Sequence, residues 1–197
     1  MLTKTAMQKL MKNVLLLTLI TAASLNPVLA EHHGEASAKT SSLKEFEELC
    51  ARLEGRWNVD IIWINDWPGA DAVRGETVKG HAKYTRILDG SALEMKAMQG
   101  SEETTCLWYY DAVASQIRGL WLTSGGSSFS GTFFKVSDTE YGQQLGRSGQ
   151  KDGRAITGSI RWVFSKDGRS FMIRSKNIKL DGKSLGELKD TYTKVSP

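Results

Sequence analysis

The chain has 197 residues, of which 40% are hydrophobic, with 19 Gly, 3 Pro and 2 Cys. This composition is that of a folded protein, and it excludes a collagen-like repeat, a low-complexity disordered chain and a disulfide-dense miniprotein. The formal charge is +4, but Lys4, Lys9 and Lys12 lie in the first 30 residues, which contain no acid. The rest of the chain has 23 cations and 22 anions, and this balance gives no sign of nucleic-acid binding.

The first 30 residues have the layout of a secretory signal peptide. A cationic start precedes an apolar run over 14–20, and the small residue Ala30 follows Pro27, Val28 and Leu29. We predict cleavage after Ala30 and export to the periplasm or the medium. The apolar run is shorter than the roughly 20 residues that cross a bilayer, and no later segment approaches that length, so no membrane span is predicted.

Cleavage at this point would give a new amino terminus that begins Glu31-His32-His33. A terminal amine, two amide nitrogens and an imidazole at position three can surround a square-planar Cu(II) or Ni(II) ion. The alternative is that both histidines are incidental members of a polar leader. Residues 31–41 are small and polar without apolar periodicity, and we interpret them as a flexible leader to a domain over 42–197.

One short helix is predicted at the start of this domain. Ser42 and Glu45 have capping-box spacing, and Gly55 is a natural stop. The apolar residues at helical spacing are Leu43, Phe46, Cys50 and Leu53. After export, Cys50 and Cys106 could form a disulfide; two buried free thiols are the alternative.

After Gly55 the apolar period changes from 3.6 to 2 and remains there to the end of the chain. Trp57, Val59, Ile61 and Trp63 alternate with polar residues. The alternation continues in Val78, Ala82 and Tyr84 and in Leu93, Met95 and Ala97. Later strands are predicted over 104–110, 116–123, 128–135, 140–147, 154–165, 170–180 and 187–195. This spacing of about ten short strands is typical of an antiparallel barrel or sandwich.

Glycines inside the strands favour the barrel. Each of four glycines has apolar residues two positions away on both sides, namely Gly80, Gly119, Gly131 and Gly158. A glycine within a strand costs about 0.5 to 1 kcal/mol relative to alanine, so its repeated use on the inner face needs a reason. Tight coiling of a closing barrel provides one, whereas a few bulges in a sandwich are the alternative.

Gly55-Arg56-Trp57 after a short helix resembles the Gly-x-Trp signature of the lipocalin and wider calycin superfamily. The later stretches Gly75-Glu76-Thr77, Leu88-Asp89-Gly90, Tyr109-Tyr110-Asp111 and Asp190-Thr191-Tyr192-Thr193-Lys194 are most similar to an uncharacterised family of bacterial calycin-like barrels, whose members are often exported. The resemblance covers about 52–195. It implies a barrel whose end is plugged by Trp57 under a basic side chain, for which Lys194 or Arg174 is the match. Because this family has no agreed activity, the resemblance implies a fold and no chemistry.

No catalytic pattern is recognisable in the sequence. The only histidine after the leader, His81, alternates with Lys79 and Lys83 and is predicted to face solvent. It therefore lacks partners for a Ser-His-Asp or two-histidine metal site, and on this face it could not bind a haem inside the barrel. We predict no cofactor for the domain.

Aromatic residues provide the main functional indication. Tyr84, Trp121, Phe133, Trp162 and Tyr192 share apolar strand faces. A barrel of about ten strands is too wide for its side chains to fill, so these rings are predicted to surround a small apolar or aromatic guest. The alternative for any one ring is an ordinary place in the core.

The charges divide unevenly along the chain. Residues 31–111 hold 9 cations and 15 anions, whereas residues 112–197 hold 14 cations and 7 anions. A basic side is therefore predicted, formed by Arg161, Arg174, Lys176, Lys179, Lys183 and Lys189. Our leading interpretation is an exported ligand-binding barrel that needs no catalysis. The alternatives are an enzyme with its site in the cavity, or a module that binds protein or polysaccharide through its charged outer faces.

Overall fold

The computed structural model describes residues 39–64 and 73–195. This part of the chain contains one α-helix, α1 (Leu43–Leu53), a 3-10 turn (Leu88–Gly90) and fourteen strands. Strands β1 to β14 are Gly55–Ile62, Thr77–Ile87, Ala92–Gln99, Glu102–Asp111, Gln116–Thr123, Ser128–Ser137, Glu140–Leu145, Ser148–Gly149, Ala155–Thr157, Ser159–Phe164, Ser170–Ser175, Lys179–Leu180, Lys183–Ser184 and Leu188–Lys194. The predicted signal peptide, the leader with Glu31, His32 and His33, and the proposed cleavage point lie outside the described residues.

Ten of the strands form a closed antiparallel barrel, as the sequence predicted. The strand order is β1 to β7, then β10, β11 and β14, and β14 pairs with β1 to complete the circle. Side chains alternate between the interior and the surface, so Trp57, Val59 and Ile61 of β1 are buried while their neighbours are exposed. An antiparallel barrel with one short helix is compatible with the calycin-like fold that the sequence resembles.

Two predicted strands are each broken in the structure, and the sequence prediction was wrong there. The segment 154–165 divides into β9 and β10 at Gly158, whose φ is 141°. The segment 170–180 divides into β11 and β12, where Asn177 Oδ1 accepts a hydrogen bond from the Ser159 amide at 3.1 Å. Since φ in this range favours glycine, Gly158 allows the chain to leave the barrel wall.

The pieces that leave the barrel form a small extension. Strands β8, β9, β12 and β13 continue the sheet outward from β6. A second apolar cluster lies at this extension and meets the main core at Ile160 and Leu188; it consists of Ile64, Leu145, Ile156, Ile178, Leu180 and Leu185.

The helix begins with the predicted capping box: Ser42 accepts from the Glu45 amide, and Glu45 accepts from the Ser42 amide. Its buried residues are Phe46, Leu49, Cys50 and Leu53. Leu43 was expected on this face, but it is 52% exposed, because the buried stripe runs through Leu49 and leaves Leu43 at its side. Within the described chain, no helix has the length and apolar character that a membrane crossing requires.

Helix α1 packs against one end of the barrel. Near the end of β2, the Arg86 guanidinium donates to the Glu47 carbonyl at 3.0 Å. Near the start of β7, the Tyr141 hydroxyl donates to the Glu45 carbonyl at 3.3 Å. Since neighbouring strands run in opposite directions, these two contacts lie at the same end, and the helix covers it.

Both cysteine thiols are buried and free. Burial raises the pKa of Cys50 to about 12 and raises that of Cys106 well above its ordinary value. The structure therefore has the second of the two alternatives for these residues, in which each thiol packs as a small apolar group.

Candidate functional site

Trp57 lies at the end of the barrel that the helix covers. Its indole nitrogen donates to the Leu53 carbonyl at 2.7 Å, and its ring contacts Phe171 edge-on, with centroids 4.8 Å apart. Lys194 pairs with Trp57 across β1 and β14, and its ammonium lies 5.2 Å from the ring centroid. Lys194 is thus the basic side chain above the tryptophan. Arg174, the other residue that the resemblance allowed, is exposed on β11.

The opposite half of the barrel contains a cavity of about 190 Å³. Residues near its mouth include Gln99 at the end of β3, Glu102 at the start of β4 and Thr123 at the end of β5. These positions lie at the barrel end remote from α1. The rest of the wall is mainly aromatic and aliphatic, with Tyr84, Trp121, Phe129, Ile160, Trp162 and Tyr192.

The structure brings four of the five predicted ligand-binding residues to this cavity. Tyr84, Trp121, Trp162 and Tyr192 line it. The fifth, Phe133, is fully buried and does not line it; its ring stacks on Trp121 with centroids 5.6 Å apart. Phe133 therefore supports the wall from behind, because the ring of Trp121 lies across its face.

Gly119 makes room for the Trp121 side chain. A Cβ placed on Gly119 would lie 2.8 Å from ring carbons of Trp121 and 3.0 Å from the ring of Phe133. Such separations are shorter than van der Waals contact, so an added methyl group would push the indole from its position. The inward glycine that the sequence attributed to barrel curvature thus also shapes the cavity wall.

We predict that Gly119→Ala destabilises the protein by about 1 to 3 kcal/mol, because overpacking displaces Trp121 and Phe133. Urea unfolding followed by circular dichroism would measure the difference. The matched control is Gly146→Ala, whose added Cβ would lie 3.1 Å from one small group, the Ser130 hydroxyl, and within 3.4 Å of no ring. Equal destabilisation by the two substitutions would contradict the role of Gly119.

A buried carboxyl group in the cavity wall was missed by the sequence analysis. Asp190 of β14 is only 9% exposed, and its Oδ1 has no hydrogen-bond partner within the described residues. Burial without a compensating charge raises the pKa of Asp190 to about 8. The available signal was its position two residues before Tyr192, since alternate residues of a strand share a face.

Other polar groups also reach the cavity. The Trp162 indole nitrogen donates to Gln143 Oε1 at 2.9 Å. The Gln99 side chain lines the same cavity as Tyr192. Among the described residues, the hydroxyls of Tyr84 and Thr104 have no partner. Burial raises the pKa of both Tyr84 and Tyr192 well above the ordinary value, so their hydroxyls remain protonated and available as donors.

The cavity wall contains acidic side chains and no basic ones among the described residues. Glu102 and Asp190 line the cavity, and none of the described lining residues is Lys, Arg or His. The predicted basic side lies instead on the outer surface, where Arg161, Arg174 and Lys189 are register partners across β10, β11 and β14. These neighbouring barrel strands therefore bring the three cations together on the outer surface, away from the interior.

The described residues contain no grouping of three or more His, Cys, Asp or Glu side chains that could hold a metal ion. His81 is exposed on β2, as its alternation predicted. The predicted copper or nickel site at Glu31, His32 and His33 falls outside the described residues and stays a prediction.

No protein-family model matches the sequence, and a search of curated proteins finds no match either. The functional interpretation therefore depends on the geometry of this barrel.

Proposed function

We propose that this protein binds a small, predominantly apolar or aromatic molecule inside its barrel. The observation that carries the proposal is the cavity of about 190 Å³ with aromatic walls in the half of the barrel remote from α1. An engineered apolar cavity of about 150 Å³ takes up benzene, so a guest with one ring and a short substituent suits this volume. Tyr84, Trp121, Trp162 and Tyr192 provide the flat apolar contacts that such a guest needs.

The test is a titration with 4-nitrotoluene, a neutral aromatic molecule that quenches tryptophan fluorescence. We expect saturable quenching, because Trp121 and Trp162 line the cavity. Trp121→Ala should weaken binding by about tenfold or more, since it removes a large contact surface from the guest. The matched control is Leu120→Ala on the same strand, whose side chain faces outward and is 42% exposed.

The proposal fails if the unmodified protein shows no saturable quenching. It also fails if Trp121→Ala and Leu120→Ala bind the probe equally well. Circular dichroism spectra of both variants establish that each is folded before the affinities are compared.

A second candidate function is catalysis in the same cavity. Asp190 favours it, because a buried carboxyl group with its pKa raised to about 8 is a typical general acid. The hydroxyls of Tyr84 and Tyr192 would supply further donors. Turnover of candidate substrates that is lost in Asp190→Asn would favour the enzyme over the binding protein.

We also propose that the chain is exported and belongs among the calycin-like barrels of bacteria. The cationic and apolar layout of residues 1–30 supports export. The Gly55-x-Trp57 signature, with Lys194 above the indole, supports the kinship. Expression in a bacterium, followed by fractionation and amino-terminal sequencing, should give a periplasmic or secreted protein that begins at Glu31; an uncleaved chain in the cytoplasm would contradict export.

A further inference from the structure

We propose that the guest is an organic cation, a small aromatic or aliphatic amine whose ammonium group pairs with Asp190. This inference rests on the proposed function and names the chemical class of the molecule in the cavity. It is carried by the position and surroundings of the Asp190 carboxyl group.

The first observation is that Asp190 is built into the wall without a partner. Its neighbours across the adjacent strands are Ile61 of β1 and Ile173 of β11, which offer no hydrogen bond from their side chains. Asp190 Oδ1 has no partner in the part of the chain that the structure describes. A buried polar atom without a partner destabilises the fold, so a guest that supplies a donor recovers this cost.

The second observation is the sign of the charges around the cavity. Glu102 and Asp190 are the carboxyl groups of its described lining, which holds no Lys, Arg or His side chain. A carboxylate guest would find no cation to pair with, whereas an ammonium group can take the place of the proton on Asp190. The cations Arg161, Arg174 and Lys189 are on the outer surface and cannot offset this preference.

The third observation is the aromatic surface near the carboxyl group. Tyr192 is two residues along the same strand face from Asp190, and its ring stacks on Phe171 with centroids 4.3 Å apart. Tyr84 lines the same cavity. Ring faces attract ammonium groups, so carboxyl and rings together favour a cation more than either does alone. The volume admits one ring with a short alkylamine chain.

Proton release should accompany binding of such a guest. Burial holds the pKa of Asp190 at about 8, so below this pH the carboxyl group is mostly neutral until an ammonium group arrives. The other titratable groups facing the cavity are Tyr84 and Tyr192, whose pKa values lie well above the ordinary one, and Glu102 at the mouth. Affinity for an amine should therefore rise between about pH 6 and 8, since fewer protons then compete for Asp190.

The experiment is calorimetric titration with three probes of matched shape: 2-phenylethylamine, 2-phenylethanol and 3-phenylpropionate. We expect the amine to bind at least about tenfold more tightly than the alcohol near pH 8, and the carboxylate to bind most weakly. Asp190→Asn should remove the preference for the amine while leaving the alcohol bound. Asp60→Asn, at an exposed position on β1, is the matched control and should behave as the unmodified protein.

A second measurement needs no variant. Titrating the amine near pH 7 in two buffers of different ionisation enthalpy reveals whether a proton is released on binding. Binding of the alcohol without any preference for the amine, or amine binding without proton release, would overturn the inference and leave the proposed function standing. If neither the alcohol, the amine nor 4-nitrotoluene binds, the proposed function itself fails.

Discussion

Replacing Asp190 with asparagine should make the ligand-free protein more stable above about pH 8. In the folded state burial raises the pKa of this carboxyl group from its ordinary 3.8 to about 8. Between these values the unfolded chain is ionised at Asp190 while the folded chain keeps the proton. The stability contributed by the neutral carboxyl is therefore complete below about pH 4, falls as the pH rises, and levels off above about 8.

The size of the effect follows from the difference of about four units between the pKa of Asp190 in the unfolded chain and its pKa in the folded protein. At about 1.36 kcal/mol for each unit, the upper limit is about 6 kcal/mol, and water entering the cavity would reduce it to about 2 to 4 kcal/mol. Asparagine has nearly the same shape and no charge, so it avoids this loss. The two proteins should be closest in stability near pH 4 and differ most at alkaline pH.

Urea unfolding at a series of pH values, for both proteins, measures this difference directly. The exposed carboxyl of Asp60, which pairs with Lys79 at 3.3 Å, provides the control: Asp60→Asn should change stability little at any of these pH values. Parallel pH profiles for Asp190→Asn and the unmodified protein would show that Asp190 is ionised in the folded state, contrary to our expectation.

Trp57→Ala should cost about 3 to 5 kcal/mol of stability, because it empties a fully buried site between the helix and the barrel. The indole is completely buried. The substitution also leaves the Leu53 carbonyl without the hydrogen bond that the indole nitrogen donates at 2.7 Å. The loss of stability has three sources: the lost apolar contacts, the cavity and the unpaired acceptor. Together they amount to a large part of the free energy of unfolding.

Two further substitutions separate these contributions. Trp57→Phe keeps a ring in the site but removes the donor, and it should cost less than alanine. Lys194→Met removes only the cation above the indole and should cost about 1 kcal/mol or less. Chemical unfolding of the three variants gives the comparison. A Trp57→Ala variant as stable as Lys194→Met would show that the indole does not hold the helix on the barrel.

Local patterns allowed much of this fold to be predicted. The capping box at Ser42 and Glu45 and the alternation of Trp57, Val59 and Ile61 are properties of adjacent residues, and the structure confirms both. The choice of a barrel over a sandwich came from inward glycines, of which Gly119 faces Trp121 and Phe133 in the interior. These patterns hold in the folded protein because they depend on the period of the backbone and on the space available beside each residue.

The same patterns were insufficient where a segment changes its partners. Alternation continues through 154–165 without interruption, yet Gly158 ends β9, and β10 then pairs with β7 and β11. An apolar period of two predicts a strand, but it does not indicate which other strand pairs with it. At the break the Ser159 amide donates to Asn177 Oδ1, a contact between residues distant in the chain.

The sequence by itself determined the helix, the inward face of the strands and most of the aromatic set, because each follows from the spacing of neighbouring residues. Only the tertiary structure decided which rings border the cavity, that Phe133 lies behind Trp121, and that Lys194 covers Trp57. It alone decided that Asp190 is buried without a partner. Closure of the barrel sets these relations, since it brings β14 against β1 across more than a hundred residues of chain, and no local pattern encodes that meeting.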